Sequence, residues 1–398
     1  MNNQTPILFI EINSSNYIFA AGNKNEQNEF KIIYECTVPL EGIENNIIKD
    51  FDFVLGVIKK NIYLIEQKLN FTFLDTVLIL NNFNCSFVNL SGFKKLNGSQ
   101  ILKENITYIL NSLKTNVNET ENKKTIIHIF NSKYNLDKRS LDNLPIGLFG
   151  DFYNHELSFC LINNNDFKNI KNILNKCNLK IKKILLKSFA EGSLISNQNE
   201  NITTFYKIKI SDKSSQIFYF ENDSLKFEQN FNFGSDLLLA DISKITSIDI
   251  NTIKKIIDKI ELTKDLSDDE LIEKELFENK NYVQIKKKLI RNIIEARIQE
   301  LSEIILTKNI NLQSYNKKEK VIFTEITNEL HFKYFKEIFK SFLSKNGVFE
   351  IRFVERISTE NLMNNVNHIV QYGWKKEAIP VTFAKKSLIA KFFDLIFG

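Results

Sequence analysis

The chain has 398 residues, 43% hydrophobic and 25% charged, which is the composition of a folded globular protein of two or three domains. Lys and Arg number 53 against 48 Asp and Glu, and a net charge of +5 spread along the chain excludes a nucleic-acid footprint. Only 12 Gly and 4 Pro are present, so any site that needs a glycine-rich backbone has little to draw on.

Cys36, Cys85, Cys160 and Cys177 show no CxxC spacing, and His128, His155, His331 and His368 form no HExxH. Neither a metal site nor a disulfide framework is expected. The opening MNNQTPILFIEINSS lacks a basic region followed by a long apolar run, and no apolar window is long enough to span a bilayer. The expected compartment is the cytosol.

Residues 7–12, 17–21 and 31–36 read as three short strands separated by Asn/Gly/Ser-rich turns. Phe51, Val54, Leu55, Ile58, Ile62 and Ile65 recur at helical spacing and predict a helix over 47–69, followed by a buried strand at 76–80. This β-β-β-α-β order is not the alternating pattern of a dinucleotide-binding fold. Residues 84–163 read as an inserted unit holding a helix (102–113), a strand (125–130), a polar turn region and a strand (156–163). A helix at 167–177 and a strand at 182–187 return to the first domain, and the polar stretch 198–201 marks a boundary. Strands at 204–210, 215–221 and 224–231 then repeat the opening pattern, with helices at 237–245 and 250–260, so an internal duplication is expected. A long helix over 284–307, a strand at 320–324, a helix at 332–343, a strand at 349–354 and a helix at 361–372 follow. Residues 373–382 read as a linker, and 384–398 as a separate helix.

A doubled hairpin-and-helix unit with an insertion in its first half is the two-domain α/β layout of the actin/Hsp70/sugar-kinase superfamily. There, two Gly-rich hairpins hold the nucleotide phosphates through backbone N–H groups and a third turn holds adenosine. Several segments of this chain resemble the bacterial actin-like cell-division family FtsA, in order and over nearly the whole length. Leu40-Glu41-Gly42-Ile43 with Ile48 resembles the family's G-[IV]-x-x-G connection, and His128 within 126–130 the strand before its H-x-x-P segment. Leu144-Pro145-Ile146-Gly147-Leu148 is similar to the N-P-[IV]-G-[LM] turn, and 155–162 to the strand after it. Asn172, Cys177 and Asn178-Leu179 resemble the helix ending in C-G-L. Ile294-Glu295-Ala296-Arg297-Ile298-Gln299-Glu300 is similar to the I-E-x-R-x-x-E helix, and 369–373 to the G-L-L-x-Y-G end of the core.

The resemblance implies an actin-like fold with an inserted FtsA-type subdomain and a C-terminal amphipathic helix. Its subdomains would be 1–83 with 164–198, the insertion 84–163, then 199–240 with 308–373, and 241–307, followed by a linker at 374–383 and the helix at 384–398.

The departures bear on nucleotide binding. Where the family's first phosphate loop reads D-I-G-T-[ST]-K, this chain has Glu11-Ile12-Asn13-Ser14-Ser15-Asn16. Where the second reads D-I-G-G-G-T-T-D it has Lys209-Ile210-Ser211-Asp212-Lys213-Ser214-Ser215-Gln216, and the adenosine turn L-T-G-G-G is Phe323-Thr324-Glu325-Ile326-Thr327. Side chains at such turns obstruct close approach of backbone to phosphate. Ser14, Ser15, Asn16, Ser214, Ser215 and Thr324 are what remains to meet a nucleotide, or they are ordinary turn residues. No catalytic residue and no resident cofactor are expected, ATP–Mg²⁺ being the one candidate.

Placed at 100° per residue, Ile290, Ile293, Ile294, Ile298, Leu301, Ile305, Leu289 and Ile304 fill one apolar arc, with Arg297 in its middle and Glu300 at its edge. A cation there needs a partner. It is either an intramolecular ion pair with Glu300 or another acid, or part of a groove for an acidic peptide with Lys286, Lys287 and Lys288 nearby. The FtsA resemblance assigns Arg297, Glu300, Lys286 and Lys287 to the acidic C-terminal tail of the tubulin homologue FtsZ.

In the last fifteen residues Leu388, Ile389, Phe392, Phe393, Leu395 and Ile396 share one face, while Ser387, Lys391 and Asp394 share the other. With Lys385 and Lys386 the segment is net cationic and too short to span, so it is expected to lie in a lipid interface. A terminal helix docked on its own domain is the alternative.

The expected function is thus a peripheral adaptor on the cytoplasmic face of the inner membrane at the division site. It would tether FtsZ filaments, meet other divisome proteins and self-associate or form filaments, without being an enzyme. An actin-like ATPase with relaxed loops and a pilus-assembly actin homologue are the other readings; the latter usually lacks a tail helix.

Overall fold

The computed structural model describes residues 5–13, 15–24, 30–44, 47–81, 83–199, 201–259, 266–277, 282–315, 320–327, 335–345 and 349–378. The chain divides into two compact units: Met1–Ile195 with Asn222–Lys226 and Thr359–Gly398, and Ser196–Glu221 with Phe227–Ser358. Residues 222–226 and 359–373, placed in the second half by the sequence, therefore group with the first unit.

The first unit opens with β1 (Ile7–Ile12), β2 (Asn16–Lys24) and β3 (Phe30–Pro39). A two-residue ladder, β4 (Ile43–Glu44) with β5 (Ile47–Ile48), precedes α1 (Phe51–Leu69) and β6 (Asp75–Leu80). The expected helix start at 47 is overridden because Ile47 and Ile48 are spent in that ladder. Asp50 instead caps α1, accepting from the Phe53 N–H at 2.9 Å, and Asn70 ends the helix in the left-handed region. Val54, Ile58, Ile62 and Ile65 are its buried stripe.

The insertion comprises β7 (Ser86–Lys95), α2 (Lys103–Thr120), β8 (Lys124–Leu136), β9 (Arg139–Leu141) and β10 (Phe152–Asn163). They form an antiparallel sheet in the order β7-β10-β8-β9. The sequence reading has no strand at β7, whose Ser, Asn and Gly dilute the alternation. Gly92 in β7 is needed for close helix packing, since a Cβ there would lie 2.5 Å from Ile109 of α2. Then follow α3 (Asn164–Lys176), β11 (Lys180–Leu186) and α4 (Lys187–Gln198).

The second unit carries β12 (Phe205–Ile210), β13 (Ser215–Glu221), β14 (Ser224–Phe231, from Phe227 onwards), α5 (Asp236–Thr246), α6 (Ile250–Lys259) and α7 (Lys287–Ser302). β15 (Lys320–Ile326), α8 (Phe335–Lys345) and β16 (Phe349–Phe353) complete it, and α9 (Thr359–Tyr372) belongs to the first unit. The long helix expected over 284–307 begins at Lys287, and after Ser302 it widens into a π-helical turn over Glu303–Thr307.

The two large sheets have one plan. Their orders are β3-β2-β1-β6-β11 and β14-β13-β12-β15-β16. In each the central strand (β1, β12) is antiparallel to its neighbour on one side (β2, β13) and parallel to that on the other (β6, β15), which is parallel to the edge strand (β11, β16). This duplicated plan with an insertion is the actin-like fold. Among the described residues no helix is long and apolar enough to cross a membrane.

Residues 374–378, read from the sequence as linker, pack onto the insertion. The Asn131 N–H donates to the Lys376 carbonyl at 2.6 Å, the Ala378 N–H donates to the Ile129 carbonyl at 2.8 Å, and Phe130 and Glu377 form an antiparallel bridge. Trp374 is buried, its indole N–H donating to the Asp223 carbonyl at 2.8 Å. Glu377 receives His128 Nδ1 at 2.9 Å and Lys183 Nζ at 2.7 Å, while the Leu186 N–H donates to His128 Nε2 at 3.3 Å, which assigns the ring proton to Nδ1. Burial alone would raise the Glu377 carboxyl, but His128 and then Lys183 outweigh it and hold it down to about 2. Burial, helped by Lys376, pushes the fully buried His155 down to about 4.

Both shifts remove stability in acid. The unfolded chain binds a proton at His155 from about pH 6.5 downwards, whereas the folded chain does so only near 4. Its contribution is therefore complete above pH 6.5 and lost as pH falls through 4, and Glu377 adds the same trend between 4.5 and about 2. Each contributes at most about 3 kcal/mol. Urea midpoints measured from pH 7 to pH 4 should fall steadily, and His155→Gln should flatten that slope. A profile equally steep in the folded variant would remove His155 from the account.

Candidate functional site

At the end of β1 the turn is closed by its own side chain. Asn13 Oδ1 accepts from the backbone N–H groups of Ser15 at 2.9 Å and Asn16 at 2.8 Å, and from the Ser15 hydroxyl at 3.2 Å. Those are the donors a phosphate would take in a glycine-rich hairpin. Asn16 Nδ2 is spent on Ser15 Oγ at 3.1 Å. Glu11, also buried, receives Lys187 Nζ at 2.6 Å. Ser14 lies outside the described residues.

The second loop is held from behind. The Ser211 N–H donates to the Ser214 carbonyl at 2.9 Å, and the Ser235 and Asp236 N–H groups at the start of α5 donate to the carbonyls of Ser211 and Asp212. Ser215 is buried and its hydroxyl donates to the Phe233 carbonyl at 2.8 Å. Gly234 allows this backing, since a Cβ there would stand 1.9 Å from the Ser211 carbonyl oxygen. In the third turn Thr324 is fully buried, and beside it Glu325 is 2% exposed and pairs with Lys207 Nζ at 2.7 Å and Lys209 Nζ at 3.6 Å. Among the described residues Asn13, Glu11, Ser215 and Glu325 are thus engaged within the protein, whereas the buried Thr324 hydroxyl has no hydrogen-bond partner.

The second candidate lies on α5 and α7. Asp241, Lys244 and Ile245 face Asn292, Ile293, Ala296, Arg297 and Glu300 across an open groove of about 630 Å³. Arg297 donates from Nε to Asp241 Oδ2 and from Nη1 to Glu300 Oε2. Asp241 is the larger influence and raises the guanidinium above its ordinary value. The ion pair foreseen for Arg297 thus exists, with Asp241 as a partner no sequence pattern names, because α5 lies some fifty residues upstream. The apolar arc needs correcting: Ile290, Ile293, Ile294, Ile298, Leu301 and Ile305 are buried, but Leu289 and Ile304 are both 41% exposed. Arg297 consequently sits on a partly exposed edge rather than mid-arc.

Lys286, Lys287 and Lys288 lie about ten residues, or about 15 Å of helix, before Arg297 and do not line the groove. Lys286 pairs with Asp269 at 3.2 Å, Lys287 with Glu270 at 2.9 Å and Glu273 at 2.6 Å, and Lys288 with Asp268. Glu273, more than Glu270, raises the Lys287 ammonium above its ordinary value. Backbone bonds back this up: the Ile272 N–H donates to the Ile285 carbonyl and the Lys287 N–H to the Glu270 carbonyl. Lys244 and Ile245, exposed on the groove rim, are the site residues that sequence reasoning passed over; the charged and apolar end of the 237–245 helix was their only signal. The proposed lipid-facing residues Lys385, Lys386, Leu388, Ile389, Lys391, Phe392, Phe393, Leu395 and Ile396 lie outside the described residues.

No family model matches the chain. It is 22% identical over 321 residues to the cell division protein FtsA of Buchnera aphidicola subsp. Schizaphis graminum, covering 80% of this chain and 76% of that protein. FtsA of Buchnera aphidicola subsp. Baizongia pistaciae is 23% identical over 316 residues, covering 78% and 74%, and FtsA of Bacillus subtilis 21% over 310 residues, covering 77% and 70%. Among solved structures, the PilM-PilN type IV pilus biogenesis complex superposes with a TM-score of 0.52 at 10% identity, covering 92% of this chain and 96% of that one. The chain therefore carries an actin-like fold and is similar over most of its length to proteins named FtsA.

Proposed function

We propose that this chain is a cell-division actin-like adaptor that ties FtsZ filaments to the cytoplasmic face of the membrane without turning over nucleotide. The observation that carries this reading is the similarity to FtsA proteins over more than three-quarters of the chain. The groove on α5 and α7 supplies the chemistry. A carboxylate of an acidic tail would replace Glu300 or Asp241 on Arg297 or meet Lys244, while an apolar side chain rests on Ile245, Ile293 and Ala296. Lys286 and Lys287, already neutralised by Glu270, Glu273 and Asp269, are secondary to it. Residues 384–398 are the lipid anchor in this reading, and other divisome proteins and further copies of the chain are its remaining partners.

Three measurements test the reading. Arg297→Glu should weaken binding of a labelled FtsZ C-terminal peptide by about 1.5–3 kcal/mol, roughly ten- to a hundredfold in Kd. Unchanged anisotropy curves in a folded variant would leave Arg297 a purely structural ion pair.

Calorimetric titration with ATP–Mg²⁺ should show no binding in the micromolar range, because Asn13 and the buried pairs at Glu11 and Glu325 already engage the turns. Micromolar affinity would favour the ATPase reading instead.

Changing Phe392 and Phe393 together to Glu should abolish co-sedimentation with anionic liposomes while the protein stays monodisperse, since two charges on an apolar face have no partner in lipid. Retained sedimentation would place the membrane contact elsewhere.

A further inference from the structure

The segment 374–378 has features of a docked ligand rather than of a connector. It adds to the β8 edge by main-chain bonds at Asn131 and Ala378, as an extended peptide adds to an exposed strand. A buried aromatic, Trp374, anchors one end, and a buried carboxylate, Glu377, anchors the other between an imidazole of the insertion and an ammonium of β11. Between them Lys376 Nζ donates to the Asp142 carbonyl at 2.6 Å. Just before the segment, Gly373 has φ +79°, a backbone turn at the end of α9 that can be left in place while the following residues move.

We propose that residues 374–378 are a releasable strap: a peptide-docking edge on β8 filled by the chain's own C-terminal segment, with Glu377 as its latch. Docked, the strap fixes the point from which residues 379–398 depart. Released, it moves that point back to Gly373 and adds five residues, about 17 Å of extended chain. This rests on the adaptor reading only in what the added length serves, a longer reach between the fold and a lipid-bound tail. The docking itself is independent of that reading. The freed edge, with His128 and Lys183, would accept an extended peptide that offers a carboxylate at the Glu377 register.

Native-state hydrogen exchange on the unmutated full chain, in sub-denaturing urea and without lipid, tests the strap. The Asn131 and Ala378 amides should share one opening that is at least tenfold more frequent than that of the β1 and β6 amides. Glu377→Gln should raise their exchange at least a further tenfold and leave β12 amides unchanged. Exchange of Asn131 and Ala378 at the rate of the β1 and β6 core, or an even rise across the whole first unit in the variant, would make 374–378 a permanent part of the core and overturn the proposal. Loss of liposome binding by the Phe392 and Phe393 variant bears only on the adaptor reading, so the two can fail separately.

Discussion

In each unit the central strand ends in a charge that is neutralised from within that unit. Glu11, the penultimate residue of β1, is held by Lys187, and Lys209, the penultimate residue of β12, faces Glu325 with Lys207 closer still. Removing one partner from such a pair strands a charge in low dielectric and costs about 3–5 kcal/mol. These pairs therefore constrain the rest. The opposite face of β12 is apolar, with Tyr206, Ile208 and Ile210 in the second core, so the charges of that strand are confined to the face that carries the pair. The same pairs engage each strand end within its own unit, one ammonium on one carboxylate at Glu11 and two ammoniums sharing the carboxylate of Glu325.

How far the chain can be read without coordinates depends on how local the cause is. The duplicated hairpins are legible because strand alternation and Asn/Ser turns are local signals, and the same holds for α1 with its buried stripe and Asp50 cap. β7 is not legible, since its pairing with β10 compensates for Ser, Asn and Gly that argue against a strand. Arg297 can be picked out as a cation that needs a counter-charge. Asp241 cannot, because the partner is chosen by the packing of α5 on α7. The partners of the lysines before it are hidden for a similar reason: the run of positive charge is plain, but its pairing with Asp268, Asp269, Glu270 and Glu273 is set by the fold.

Residues 374–378 show the same limit in its sharpest form. Gly373, the pair Lys375-Lys376 and Pro380 are compositional marks of a solvated connector, against which only Trp374 speaks. Yet the hydrogen-bonding capacity of the β8 edge, together with the buried demand of His128 and Lys183, draws that stretch into the fold. Edges left open invite foreign strands, and here the chain closes one of them itself.

Trp374 is the single tryptophan in the sequence. Its ring is buried, edge-on to Phe189 at 6.2 Å, with the indole N–H bonded to a carbonyl of the Asn222–Asp223 turn. Fluorescence excited in the indole band therefore originates from one location, and the shielding of that ring from water sets its colour. The molecule carries an intrinsic optical gauge where the C-terminal segment meets α4 and the Asn222–Asp223 turn, readable without any label.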